Sequence, residues 1–268
     1  MSGRTAELML GPMRSIRRAA IIWGVSLAAI VFLTVAIWPA FRGSTSVSQV
    51  MDQLPEGVVK AFGLEGFGTP AGFLRGNLYD FFIPLLLAGA AVGFVNSLTA
   101  GEEDSGRLEM ILAQPVKRHG VFAGRAFAAF ACVALITLLT SVVQFASDAI
   151  FDLQIGTDRL LATLILCGLL ALLNAGLAIA VAGLTGKPAL VLGIGLLAVV
   201  GGCFAAALLP LSGSLAEFAH VSPWDWAFSG DPLVNATEIW RYLALGVPAF
   251  AMAAVGVWAF GRRDLAAA

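Results

Sequence analysis

The sequence predicts an all-α integral membrane protein with six transmembrane helices and a short cytoplasmic helix between the second and third. Three observations carry that prediction. Of the 268 residues, 59% are hydrophobic and 12% charged, a balance foreign to soluble globular chains. The apolar residues fall into six runs, at about 19–38, 79–98, 121–145, 160–183, 188–209 and 241–260. A helix rising about 1.5 Å per residue needs about 20 residues to cross about 30 Å of hydrocarbon, and each run meets that length. Charge is gathered between the runs: Glu102, Glu103, Asp104, Arg107, Glu109, Lys117 and Arg118, seven of the 33 charged side chains, lie in one connection. Residues 1–268 are therefore read as a single transmembrane domain, with 102–118 as its main cytoplasmic segment.

Arg14, Arg17 and Arg18 precede the first run. That run is longer than the apolar region of a secretory signal, and 38–42 shows no small-residue cleavage pattern, so it is expected to be a retained span. Trp23 and Trp38 are placed in the headgroup belts, and 9–18 as a short helix along the membrane surface. The Gly- and Pro-rich connection 39–77 is expected outside, with an amphipathic piece around 58–64. The second span contains Pro84, expected to kink it. It also holds Gly89 and Gly93 at the spacing that lets two helix backbones meet, although a chain with 30 Gly produces such spacings by chance as well.

Between the second and third spans, Leu108, Ile111 and Leu112 recur at i, i+3 and i+4, on one face of a helix bracketed by Gly106 and Pro115. An apolar face on a charged segment either docks on a protein surface or rests on lipid. Asp148, Asp152 and Asp158 mark the link after the third span. Asn174, in the fourth, is expected to hydrogen-bond a neighbouring helix. Gly186-Lys187-Pro188 reads as a tight turn with Pro188 opening the fifth helix. The connection 210–240 carries Trp224-Asp225-Trp226-Ala227-Phe228, where Trp224, Trp226 and Phe228 suit a membrane-interface element. Asn235 and Glu238 are spaced as a capping box for the sixth span.

With both termini inside, Arg4, Arg14, Arg17, Arg18, Arg107, Lys117, Arg118, Arg125, Lys187, Arg262 and Arg263 face the cytoplasm, against Arg42, Lys60, Arg75, Arg159 and Arg241 outside. Eleven against five obeys the positive-inside rule and places the chain in the cytoplasmic membrane as a multi-pass protein. Cys132, Cys167 and Cys203 each fall within a span, which implies no disulfide framework.

Several motifs fail. Gly183-Leu-Thr-Gly186-Lys187 resembles the end of a phosphate-binding loop, but Val181 and Pro188 stand where Gly and Ser or Thr are required. Glu102-Glu103-Asp-Ser-Gly-Arg107 matches a pattern of membrane-embedded prenyl-protein proteases, which also need His residues from other spans. His119 and His220 both lie in connections. No metal cluster is suggested, and no nucleic-acid partner is expected. A secondary transporter is the stronger rival, but such proteins usually carry acidic residues at mid-membrane, and Asp80 lies near the outer end of its span.

Glu102-Glu103-x-x-Gly106-x-Leu108-Glu109-x-x-Leu112-x-x-Pro115-Val116-x-Arg118 resembles the cytoplasmic segment after the second span in type-2 ABC exporter permeases, particularly the drug and polyketide-antibiotic branch. The six-span plan, residues Thr69 to Leu74 and the Phe260-x-Arg262-Arg263-Asp264 ending are similar too. The resemblance implies a non-enzymatic permease subunit moving a lipophilic small molecule or lipid-like substrate. ATP and Mg would be bound by a separate ATPase subunit and no cofactor by this chain. It further implies a coupling helix in which Glu102, Glu103, Gly106, Arg107, Leu108, Glu109, Ile111, Leu112 and Pro115 meet that ATPase, and pairing with a second copy or a sister permease.

Overall fold

The computed structural model describes residues 3–42, 66, 68–113, 115–212 and 215–263. The amphipathic piece expected around 58–64 lies outside them. Among the described residues, six helices are long and apolar enough to cross a membrane, the number that the apolar runs predict.

The first, α1 (Gly3–Phe41), is a single helix of 39 residues, so the separate surface helix expected at 9–18 is instead its opening turns. Ile16, Ala20, Gly24, Leu27, Val31, Val35 and Trp38 are buried. Steps of three and four residues make this one narrow seam, laid along α6 (Arg118–Phe151). Trp38 is 2% exposed and its ring lies tilted against that of Phe73, 5.3 Å between centroids; the protein, not the lipid belt, takes its ring.

The second span begins with α2 (Pro70–Leu74), capped by Thr69, whose Oγ1 accepts from the Gly72 N–H at 3.1 Å. A wider turn with i to i+5 bonding, Arg75–Tyr79, follows, and then α3 (Phe82–Leu98). The axis breaks at Asp80 and Phe81 because Pro84 has no N–H to give the Asp80 carbonyl and its ring crowds that position. Pro84 thus acts one turn upstream, where α3 starts.

Two small helices, α4 (Ala100–Asp104) and α5 (Arg107–Leu112), connect α3 to α6. Then come α7 (Thr157–Thr185) and α8 (Pro188–Leu208). Gly186, at φ +64°, ends α7 in the left-handed region, and Pro188 opens α8 as the turn chemistry requires. After two 3-10 turns, α9 (Pro223–Phe228) precedes α10 (Ile239–Arg262). Asn235 does not cap α10. Its Nδ2 donates to the Gly230 carbonyl at 3.1 Å, and Glu238 flanks the helix with no side-chain cap.

The helix α7 is central, buried on nearly every face from Leu160 to Gly183. Its closest neighbour is α10, where backbone meets backbone: a Cβ built on Gly183 would lie 2.1 Å from the Gly256 carbonyl oxygen, and one on Gly176 2.3 Å from that of Ala249. By contrast, α8 touches the bundle through Val191, Gly195, Val199 and Cys203 alone among its buried residues. Asn174 donates to the Leu170 carbonyl of its own helix at 2.9 Å rather than to a neighbour, which satisfies one amide donor within the apolar interior.

Candidate functional site

The cytoplasmic connection α4–α5 is fixed to the bundle by its own sequence. Thr99 ends α3 by returning its hydroxyl to the Val95 carbonyl at 2.6 Å. Gly106 at φ +68° supplies the left-handed residue that turns α4 into α5, a conformation costly for a side chain with a Cβ. Leu108 then points inward and is 0% exposed, while Met110 is 68% exposed. Ile111 and Leu112 are half-buried against the core. Arg107, Ala113 and Pro115 are exposed and Glu109 is half-exposed. Leu108 is accordingly the internal anchor of α5. The outward surface is carried by Arg107, Met110, Ala113 and Pro115, with the edges of Ile111 and Leu112.

Glu102 and Glu103 also turn toward their own chain. The Glu102 Oε2 accepts from Nε and Nη2 of Arg125 at 2.9 and 2.5 Å. This pair is enclosed, with side chains 10% and 3% exposed. Glu103 holds Arg263, whose Nη2 donates to both carboxylate oxygens at 2.7 and 2.6 Å. Arg263 follows α10 and lies against Phe260, which stacks on Phe122 of α6 at 4.5 Å. A Cβ on Gly186 would sit 2.2 Å from the Arg263 Nη1 and 2.6 Å from the Glu103 Oε1. Hence α4, the end of α10 and the α7–α8 turn converge on one ion pair. Charge-assisted bonds of this kind are short and about twice as strong as neutral ones, and water is largely excluded from both.

Arg125 and Arg263 are site residues that the pattern around 102–118 does not reveal. Arg125 had a signal: it is a lone charge inside the apolar run 121–145, and intramembrane charges mark function or pairing. Arg263 had none beyond its place in a basic ending.

Among the described residues, Gly89 and Gly93 make no close helix contact, since a Cβ on either meets nothing within 4 Å. They lie with exposed Phe82 and Ser97 along one stripe of α3. At the outer end, Trp224 of α9 is 3% exposed, buried in protein, while Trp226 and Phe228 are half-buried. Trp226 donates its indole N–H to the His220 carbonyl at 2.6 Å. The two histidines sit at opposite ends of the bundle, and the carboxylates of the protease-like pattern are engaged by arginines.

Residues 12–265 match the profile of a family described as ABC-2 family transporter protein. No curated protein matches the chain.

Proposed function

We propose, on the premise that this chain belongs to the ABC-2 transporter family and is a non-catalytic, multi-pass permease component of an ABC transport system, that it exports a lipophilic small molecule. A separate ATPase subunit docked on α5 would drive it. The drug and polyketide-antibiotic branch is the finer reading favoured by the 102–118 motif.

The observation that carries the proposal is mechanical. The helix α5 presents Arg107 and Met110 outward, yet its root is tied to α6 through Glu102–Arg125 and to the end of α10 through Glu103–Arg263. A displacement imposed on the outward face by ATP-driven closure reaches the second, third and sixth spans together. Such a tie would be superfluous for a helix merely resting on lipid. The uncovered stripe of Gly89 and Gly93 supports a second copy or sister permease on that side of α3, since small residues allow close approach of a facing helix.

The test is co-purification. Tagged chain is expected to retain an ATPase subunit with a phosphate-binding loop, identified by mass spectrometry. A fully buried Met contributes about 1.5 to 3 kcal/mol, and about 1.4 kcal/mol is a tenfold change in affinity. Met110→Asp should therefore lower ATPase recovery at least about tenfold without changing the chain's own yield or melting temperature. Full ATPase recovery by Met110→Asp would remove α5 from the coupling role.

A further inference from the structure

The first span carries a charged feature that transport and coupling leave unused. Arg14, Arg17 and Arg18 stand at i, i+3 and i+4 on α1, so their side chains share one stripe of the helix. All three are exposed, and among the described residues none has an ion pair or hydrogen bond. By contrast, Arg125 and Arg263 are held by Glu102 and Glu103, and Arg262 lies over the Trp258 ring at 4.3 Å. No acidic residue occurs between Arg14 and Met51 in the sequence, so the helix offers no counter-charge of its own. Like charges three and four apart on a helix repel. An anion laid across them relieves that repulsion.

The depth of the stripe follows from how α1 lies along α6. A Cβ on Gly24 would sit 2.9 Å from the Leu139 Cδ1, Phe32 lies 5.8 Å from Phe151 between centroids, and Arg42 pairs with Asp152 at 3.9 Å. The two helices therefore run in the same direction, and Arg42 marks their outer end. From Arg42 back to Arg18 the axis covers about 36 Å at about 1.5 Å per residue, more than a hydrocarbon core of about 30 Å. The three guanidinium groups thus fall in the headgroup layer of the cytoplasmic leaflet. Further into the membrane the same stripe continues as Ile21, Val25 and Phe32, which are 47%, 60% and 41% exposed.

A cationic end joined to an apolar stem fits a ligand with the complementary two parts. Free phosphate would use the arginines alone, and a soluble acidic partner would leave the apolar stem uncovered. We infer that this stripe of α1 is a binding site for one anionic diacyl phospholipid, its phosphate on Arg14, Arg17 and Arg18 and its chains along Ile21, Val25 and Phe32. Guanidinium groups match phosphate oxygens in pairs. A zwitterionic lipid offers the same phosphate but brings a choline cation toward three like charges, so the site selects net negative headgroups. The inference is independent of the exporter reading.

The experiment uses the full chain in detergent, stripped of lipid and without ATPase, so its failure leaves the co-purification result standing. It is titrated with phosphatidylglycerol or phosphatidylcholine, and bound lipid is counted by native mass spectrometry. One phosphatidylglycerol is expected to bind at least about tenfold tighter than phosphatidylcholine. The triple variant Arg14→Gln, Arg17→Gln, Arg18→Gln should weaken phosphatidylglycerol about a hundredfold and keep its melting temperature in lipid-free detergent. Lys117→Gln with Lys187→Gln, which removes two exposed cations from the same end, should leave the affinity unchanged. In the unaltered chain, phosphatidylglycerol with a photoactivatable diazirine in its acyl chain should mark Ile21, Val25 or Phe32. Equal affinity for the two lipids, or undiminished binding by the triple variant, would overturn the site. So would crosslinks confined to other faces, such as Leu197 on α8 and Val247 on α10, whatever the variant does. Displacement of the lipid by inorganic phosphate at equal concentration would leave an anion site and overturn the lipid assignment. A triple variant that keeps phosphatidylglycerol but loses the co-purified ATPase would give the stripe to a protein partner instead.

Discussion

The two ends of the bundle are held in different ways. At the cytoplasmic end, Glu102–Arg125 and Glu103–Arg263 bring together four side chains that are at most 20% exposed. At the outer end, Arg75, Asp80, Asp231, His220, Asp225, Arg241 and Glu238 form pairs whose exposed members reach 34%, 64% and 75%. Enclosed pairs in low dielectric resist separation, whereas exposed ones exchange readily with water. The cytoplasmic end is therefore the stiffer one, and the end facing the outside, where a cavity lies between α3, α8 and α9, is the more compliant.

The strongest way to break this contrast is to strand a buried charge. Arg125→Ala leaves the Glu102 carboxylate enclosed without its partner, which should cost about 3 to 5 kcal/mol of stability. Loss of monodisperse protein at temperatures the unaltered chain withstands would register it. The exchanged pair Glu102→Arg with Arg125→Glu should recover part of the loss. If Arg125→Ala melts like the unaltered chain, the clasp is not structural.

A smaller effect is expected from Glu103→Gln, which keeps the shape and removes the charge that Arg263 grips. Hydrogen bonds to charged groups are worth about 1.5 to 3 kcal/mol, so folding should survive. Transport per ATP hydrolysed, measured in proteoliposomes with the ATPase subunit, should fall while ATPase binding persists. Unchanged coupling would mean that α10 is not part of the transmission.

The smallest effect is assigned to the outer end. His220 is 75% exposed, and His220→Ala should change stability by no more than about 0.5 kcal/mol. A larger drop in melting temperature would erase the distinction between the two ends.

Much of this architecture was legible because its signals are local. Six apolar runs give six spans, and Gly186-Lys187-Pro188 gives the α7–α8 turn, since a left-handed residue and a proline act within a few positions. Partners across the sequence were not legible. Glu102 finds Arg125 23 residues away and Glu103 finds Arg263 160 away, and no period in the chain encodes either distance. The apolar face Leu108, Ile111 and Leu112 was visible, but periodicity cannot say whether a face turns to its own protein or to another. Nor does glycine spacing say which helices meet: Gly89 and Gly93 face open space, while Gly176, Gly183 and Gly256 make the close contacts. The Asn235 cap failed because its amide found the Gly230 carbonyl in a turn that spacing alone does not specify.

The glycine seam between α7 and α10 has a consequence for how motion travels. Where a Cβ would lie 2.1 to 2.3 Å from a facing carbonyl oxygen, no side chain stands between the helices to rotate, slip or cushion a shift. Packed backbone to backbone, the two would move as one lever. The handle of that lever is Arg263, at the foot of α10, and Glu103 grips it. On the proposed coupling, a tug on α4 would swing the most deeply buried helix of the molecule directly, and a path would open by parting this lever from α3 and α8 rather than by prising it apart.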